Sequence, residues 1–263
     1  MQREWRTVAP PAHTFVAAHF NVLADELCTP GGFAGVDERV MVWQVRREAL
    51  LAVIREANPD VLSLCEADHH KDFWVPRLAA LGYAPVGYAV KHADGRKTHG
   101  VALFIRTAMF KVRKVAVITE GVACVVTEME HLACRERVTV AAVHLRAKAD
   151  EAGRARQLEV VTRGIRNVMT PLVFLGDFNA LSSEAALVAT ADPLTLRLVA
   201  PLSYTTWKTR TGAAEVKRTI DHVYARGVRA LRYLDVPVGC ETPLPGAHYP
   251  SDHLLVAVEF TWE

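Results

Sequence analysis

Two short polar clusters stand where apolar runs begin or end. Gly176-Asp177-Phe178-Asn179 follows Leu172-Val173-Phe174-Leu175, and Tyr249-Pro250-Ser251-Asp252-His253 precedes a second apolar run over residues 254–260. Each run has the length and composition of a buried strand. An acid and an amide two residues apart at a strand's end aim oxygens at one point, which suits a hard metal ion or a water nucleophile. Two such clusters at the mouths of two buried strands point to phosphoester hydrolysis.

Other residues repeat the pattern. Glu66 follows Val61-Leu62-Ser63-Leu64-Cys65, and Asn21 closes an earlier apolar stretch. Taken alone, Glu66 reads equally well as a solvated acid, and Asn21 reads as a turn residue. His144 ends the run 138–143 and leads into Arg146 and Lys148. On an extended segment these two cations share one face, either for an anionic substrate or as a solvated strand edge. Asp221 interrupts the alternation of residues 218–224. A buried acid needs a partner, and His253 is the natural candidate, held by Asp221 in the required tautomer. His69-His70 lacks a strand-end context and is expected at the surface. In chain order these give an amide, an acid, a histidine, an acid-x-amide, an acid and an acid-histidine pair, each near a strand's end. The joint pattern carries the argument.

The elements that position these residues alternate between strands and helices. Strands are expected over residues 15–21, 61–65, 101–106, 112–118, 122–129, 138–145, 172–175, 219–225 and 254–260. A helix capped by Asp37 should run to about Ala57, where Asn58-Pro59 stops it. A second should span 151–169 before Pro171, and a short one should follow Ser182-Ser183. Each half of the chain places a long helix before an apolar strand that ends in an acid, Glu66 or Asp177. Two sheets packed face to face, each covered outside by helices, satisfy this pattern.

Composition narrows the setting. The 263 residues are 51% hydrophobic and 23% charged, enough to bury a full core. Net charge is +2, so nucleic-acid binding must rest on a local patch rather than a global field. The loop Lys91-His92-Ala93-Asp94-Gly95-Arg96-Lys97 is one such patch. Cys28, Cys65, Cys124, Cys134 and Cys240 are odd in number and widely spaced, so free thiols and a reducing, cytoplasmic compartment are expected. No apolar stretch is long enough to span a membrane, and no protein-docking extension is visible, so a monomer is expected.

Phe20-Asn21-Val22-Leu23, Pro59-Asp60-Val61-Leu62-Ser63-Leu64-Cys65-Glu66, His144-Leu145, Gly176-Asp177-Phe178-Asn179, Ile220-Asp221 and Ser251-Asp252-His253 together resemble the endonuclease/exonuclease/phosphatase superfamily across essentially the whole chain. His144-Leu145-Arg146-Ala147-Lys148 is similar to its deadenylase-like branch. The resemblance implies one catalytic domain over residues 1–263, a four-layer α/β/β/α sandwich, and a site at one edge that depends on magnesium, with manganese as a substitute. It implies Glu66 as the main metal ligand with Asn21 nearby, and Asp177 as the group that activates water, positioned with Asn179. It implies His253 as the stabiliser of phosphoryl oxygens, oriented by Asp221. Asp252 would serve the metal or its water, and His144 would contact the scissile phosphate.

Arg146, Lys148, Trp207, Lys208 and Arg210 would bind substrate. Two departures stand out: the family usually carries Gln where this chain has Cys65, and an acid where it has His99, leaving Asp94 as a possible partner for His144. The substrate implied is a phosphoester beside adenosine: the 3′ end of poly(A)-like RNA, cut by a 3′–5′ exoribonuclease, or the 2′-phosphate of NADP(H). The segment Tyr204-Thr205-Thr206-Trp207-Lys208-Thr209-Arg210 resembles the branch that takes NADP(H). A non-catalytic binding module on the same fold is the alternative of a different class, and an intact set of acid, amide and histidine argues against it.

Overall fold

The computed structural model describes residues 13–90, 99–147, 150–238 and 241–263. In chain order the elements are β1 (Thr14–Asn21), α1 (Glu38–Met41), α2 (Trp43–Ala57), β2 (Val61–Cys65), α3 (Val75–Ala79), β3 (Tyr83–Val90), β4 (Gly100–Arg106), β5 (Phe110–Ile118), β6 (Ala123–His131) and β7 (Arg137–His144). The second half adds α4 (Glu151–Ile165), β8 (Leu172–Asp177), α5 (Ala185–Ala191), β9 (Arg197–Leu198), β10 (Thr206–Lys208), β11 (Val216–Arg218), β12 (Asp221–Arg226), β13 (Val228–Tyr233) and β14 (Val256–Trp262). Two six-stranded mixed sheets form, in the orders β13-β14-β1-β2-β4-β3 and β5-β6-β7-β8-β12-β9, with β10 and β11 as a separate ribbon.

Three apolar clusters define four layers. Between the sheets, Phe15, Ala17, Val61 and Leu103 of the first meet Val125, Val140, Ala142 and Leu175 of the second. On the outer face of the first sheet, Leu50, Leu51 and Ile54 of α2 cover Ala18, Phe20, Leu62 and Leu64. On the outer face of the second, Leu158, Val161 and Ile165 of α4 cover Ala141, Val143, Leu172 and Phe174. Strands buried on both faces carry side chains such as Leu62 and Val173 without polar alternation, as expected where helices cover a parallel pair.

Within each sheet, one crossover aligns the site. β1 and β2 run parallel through α1 and α2, with Asn21 opposite Cys65. β7 and β8 run parallel through α4, with His144 opposite Asp177. Parallel strands joined by a helical crossover bring their carboxyl ends to the same edge. β12 runs antiparallel to β8 and sets Asp221 opposite Asp177. Gly176 is required for this arrangement: a Cβ there would lie 2.0 Å from the Val143 carbonyl oxygen.

Several boundaries differ from the sequence pattern. The helix expected over residues 37–57 is two helices, broken where Val42 adopts extended angles (φ −62°, ψ 129°). Asp37 does cap the first piece, accepting a hydrogen bond from the Arg39 amide. α4 stops at Ile165, four residues short of the expected end. α5 begins after Glu184, and neither Ser182 nor Ser183 caps it. The Glu184 carboxylate takes two hydrogen bonds from Arg154 at 2.7 and 2.6 Å instead. His69 and His70 are not surface residues: they are half-buried, His69 stacked on Trp43 at 4.4 Å and His70 on Tyr88 at 4.0 Å.

Candidate active site

Asn21, Glu66, Asp177 and His144 converge because their strands end at one edge. Just beyond β1, β2 and β8, Leu23 (φ 55°), Glu66 (φ 55°) and Asn179 (φ 50°) turn the chain through left-handed backbone. Non-glycine residues in that region are uncommon and gather at functional sites. The Asn21 Nδ2 donates to Glu66 Oε1 at 3.2 Å and to Asp177 Oδ2 at 3.0 Å. Its Oδ1 is taken by the Leu23 amide at 3.0 Å. Asn21 therefore bridges the two acids through its nitrogen and does not turn its oxygen toward them. Glu66 Oε2 accepts from the Ala24 amide at 3.2 Å. The Asn179 amide fixes Asp177 Oδ1 at 2.9 Å, and its side chain ties this turn to the Leu145 carbonyl at 3.1 Å. His144 Nε2 lies 3.6 Å from Asp177 Oδ2.

Asp221 and His253 form the pair read from the sequence, with Nδ1 2.8 Å from Oδ2. Two partners were not legible there. His19 Nε2 sits 3.2 Å from Asp221 Oδ1, and its Nδ1 lies 3.3 Å from the Ser63 hydroxyl. The Thr205 hydroxyl donates to Asp221 Oδ2 at 2.7 Å while accepting from the Ile220 and Asp221 amides, each at 3.0 Å. His19 reads only as one polar residue inside an apolar strand; its inward alternation is the sole signal. Ser251 links the last segment to the first: its hydroxyl donates to the Asn21 carbonyl at 2.7 Å and accepts from the His253 amide at 3.2 Å.

Burial and charge act together here. Burial and then the Asp221 charge push the Asp177 carboxyl up to about 6, against the pull of His253 and Asn21. Burial works against a charged His253, yet the Asp221 carboxylate outweighs it and lifts the imidazole to about 9. Burial likewise opposes ionisation of Asp221, but His253 and His19 hold it far below the usual carboxylate range. Burial also opposes ionisation of Asp252, but Lys208 and His253 keep it below the ordinary value.

The expected substrate cations are distributed differently. Lys208 Nζ bonds Asp252 Oδ2 at 2.6 Å, and Arg210 Nη2 lies 3.8 Å from the same oxygen. Arg210 also donates to the Leu27 carbonyl at 3.1 Å and covers the Phe33 ring at 3.8 Å, so it staples the loop before α1 to the ribbon. Trp207 is buried against Tyr204, with Lys217 Nζ 3.6 Å from its ring centre, and so presents no open face. Arg146 is exposed and pairs with Asp150 at 2.8 Å. Lys148, Asp94, the rest of the basic loop 91–97 and Cys240 lie outside the described residues. His99 Nδ1 pairs with Glu26 at 2.7 Å. Cys65, where Gln was the expected residue, points its Sγ at the Val143 carbonyl of the facing sheet at 3.5 Å.

Cleaving a phosphoester requires a held water, charge beside the equatorial oxygens and a donor close by, and this edge gathers the side chains for all three: the chain is built as a phosphoester hydrolase. It belongs to the Endonuclease/Exonuclease/phosphatase family, whose model matches residues 18–253. Nocturnin of Homo sapiens is 30% identical over 98% of this chain and 68% of its own length. The human Nocturnin catalytic domain, solved with a bound sulfate anion, matches with a TM-score of 0.80 at 24% identity, covering 100% of this chain and 97% of that one. ANGEL2, a 2′,3′-cyclic phosphatase solved with adenosine-2′,3′-vanadate, has the same fold, with a TM-score of 0.82 at 17% identity over 99% of this chain and 98% of its own. A Ccr4 3′-5′-exoribonuclease subunit of the CCR4-Not complex from Emericella nidulans is 28% identical over 45% of this chain and 19% of its own length.

The family is generally dependent on a divalent metal, and the residues present fit one. Ligand atoms of Asp177, Asp221 and His253 lie within 4.8 Å of one another. Both Asp221 oxygens are already taken by His19, His253 and Thr205. The better donors are the Glu66 and Asp177 oxygens drawn together by the Asn21 amide, hard ligands suited to a hard cation. A buried carboxyl whose pKa is lifted to about 6 is an anion short of compensating charge.

Proposed function

We propose that this chain is a magnesium-dependent phosphoester hydrolase acting beside adenosine, a 3′–5′ exoribonuclease of deadenylase type on RNA, with manganese as a substitute metal. The observation that carries the reading is the Asn21 amide clamping Glu66 and Asp177 side by side, next to an imidazole held by Asp221. Glu66 would hold the cation, with Asp177 beside it across the Asn21 amide. When bound, it would supply positive charge to the phosphoryl oxygens and orient a water.

The remaining work falls to the chain's own residues. Asp177 accepts a proton from the attacking water at its carboxylate, with Oδ1 fixed by the Asn179 amide. His253 keeps Nδ1–H on Asp221 and turns Nε2–H to a phosphoryl oxygen, where its raised pKa keeps it a cationic donor. Asp252 orients Lys208 toward the same centre. His144, beside Asp177, contacts the scissile phosphate. Four free thiols among the described residues suit a reducing compartment.

A second reading, removal of the NADP(H) 2′-phosphate, is favoured by one observation: the Nocturnin match spans nearly the whole chain while the Ccr4 match spans under half. A panel of oligo(A), mixed RNA, DNA and NADPH at fixed magnesium separates the two. Oligo(A) should shorten from its 3′ end, with turnover falling steeply as salt rises. Ready dephosphorylation of NADPH with oligo(A) intact would establish the second reading. In that case Arg146→Ala, at an exposed guanidinium, should raise KM sharply, because a dinucleotide has few phosphates to share the loss. No cleavage of any substrate would refute both.

A further inference from the structure

The register of the β10–β11 ribbon places one more cation at the rim of the site. Thr206 pairs with Arg218 across the ribbon and, on its other edge, with His253. Directly paired residues send their side chains to the same face. Arg218, Thr206 and His253 therefore stand in a row, with Thr206 in the middle. Neighbouring strands lie ~4.8 Å apart, so the Cα atoms of Arg218 and His253 are roughly 10 Å from each other. Lys208, two residues along β10 from Thr206, shares that face. Its Nζ bonds Asp252 Oδ2 at 2.6 Å, so the row faces the site. Trp207 and Lys217 occupy the opposite face, where Lys217 Nζ lies 3.6 Å from the Trp207 ring centre. The Arg218 carbonyl accepts from the Thr205 amide at 2.9 Å, beside the Thr205 hydroxyl that holds Asp221. The backbone of Arg218 is thereby tied to the centre, while its side chain is exposed.

The acids of this rim are already engaged. Asp252 takes Lys208, with Arg210 3.8 Å from the same oxygen, and Asp221 takes two imidazoles and a hydroxyl. The Arg218 guanidinium has no hydrogen-bond, ion-pair or ring partner among the described residues. Its planar fork matches two oxygens of a phosphate. Side chains that leave one face in parallel keep their lateral separation, so this guanidinium serves a neighbouring phosphate rather than the one that His253 faces. We propose that Arg218 is a substrate-binding residue that takes a second, non-reacting phosphate beside the phosphoester that is cleaved, so that the chain selects substrates carrying both groups. This assignment rests on the hydrolase reading above. In RNA the second group is the phosphate of the preceding nucleotide; in NADP(H) it is the diphosphate.

Two substrate pairs differ in that group: ApApA against ApA, and NADPH against adenosine 2′-monophosphate. Steady-state kinetics at fixed magnesium, on the pair that the protein cleaves, give its preference for the second phosphate as a ratio of kcat/KM. The parent should favour the member that carries it. Arg218→Gln should lower that preference at least ~10-fold, through KM rather than kcat. Arg218→Lys keeps the charge without the fork and should recover part of it. Arg229→Gln removes an exposed arginine from β13 and should leave the preference as it is. Both glutamine variants should melt with the parent, because both side chains are exposed. An undiminished preference in Arg218→Gln, an equal drop in Arg229→Gln, or a loss carried by kcat alone would overturn the assignment and leave the hydrolase reading standing. Cleavage of neither pair by the parent would refute that reading, and the assignment with it.

Discussion

Thr205→Val removes one hydroxyl from a fully buried residue while keeping its shape. That hydroxyl donates to Asp221 Oδ2 at 2.7 Å and is the acceptor for the Ile220 and Asp221 amides at 3.0 Å. Valine strips both amides of this acceptor and leaves Asp221 with two imidazoles. Buried donors without an acceptor cost ~1–3 kcal/mol each, and the Ile220 amide is only part-buried, so a total of about 2–4 kcal/mol is expected. For a chain of this size each kcal/mol is worth roughly 2–4 °C, which predicts a melting point about 5–15 °C lower. Turnover of a phosphoester substrate should fall about 10-fold, because Asp221 loses an anchor while His253 keeps its partner. Thr205→Ser keeps the hydroxyl and should recover most of both losses. Thermal melts and steady-state turnover on all three proteins provide the check. A Thr205→Val protein that melts within a degree of the parent, or a serine variant as impaired as the valine one, would refute the reasoning.

Glu66→Gln keeps the shape of the acid but removes its charge, and turnover should fall about 100-fold or more, least at saturating magnesium; near-normal turnover at limiting magnesium would remove Glu66 from the metal site. Asp177→Asn and His253→Ala should each abolish most turnover with the circular dichroism spectrum unchanged, and the double variant should be scarcely worse than either; a loss equal to the product of the two would show independent action. Burial, with His13 nearby, depresses the His131 pKa below the ordinary 6.5. The unfolded chain therefore binds the proton first, and the stability this group contributes is full above 6.5 and is lost as pH falls through the lower folded value. Denaturant midpoints between pH 7 and 5 should fall less steeply in His131→Gln than in the parent; identical slopes would discount the group.

The strand ends were legible because chemistry and periodicity coincide there. Leu172-Val173-Phe174-Leu175 reads as buried, and an acid directly after it cannot be core. The same logic placed Glu66, Asn21 and His144 at a common edge, and parallel crossovers realise it. Asp221 and His253 were paired on the cost of an isolated buried acid, and they do meet. What the sequence hid are contacts whose partners are remote in the chain. Thr205 and His19 reach Asp221 across 16 and 202 residues, and nothing local names that partner for either. The break at Val42 escaped because Val40 and Trp43 keep helical spacing on either side of it. Lys208 and Arg210 look like free cations in sequence, because only the fold reveals that Asp252 and the Leu27 carbonyl engage them.

The site straddles a seam. Asn21 and Glu66 belong to one sheet, Asp177 and Asp221 to the other, and the spacing of the two is set by side chains such as Ala17, Ala142 and the Cys65 thiol against Val143. Those small residues act as a shim between two plates whose rims bear the reacting groups. Thickening the shim by a methylene or two leaves each plate intact, since strand pairing and helix cover lie within its own half. It would, however, open the rim gap and stretch the Asn21 bonds to Glu66 and Asp177, both already at 3.0–3.2 Å. Catalysis would then register sub-ångström changes in the dry interior, making the reaction rate a fine gauge of how closely the two sheets sit.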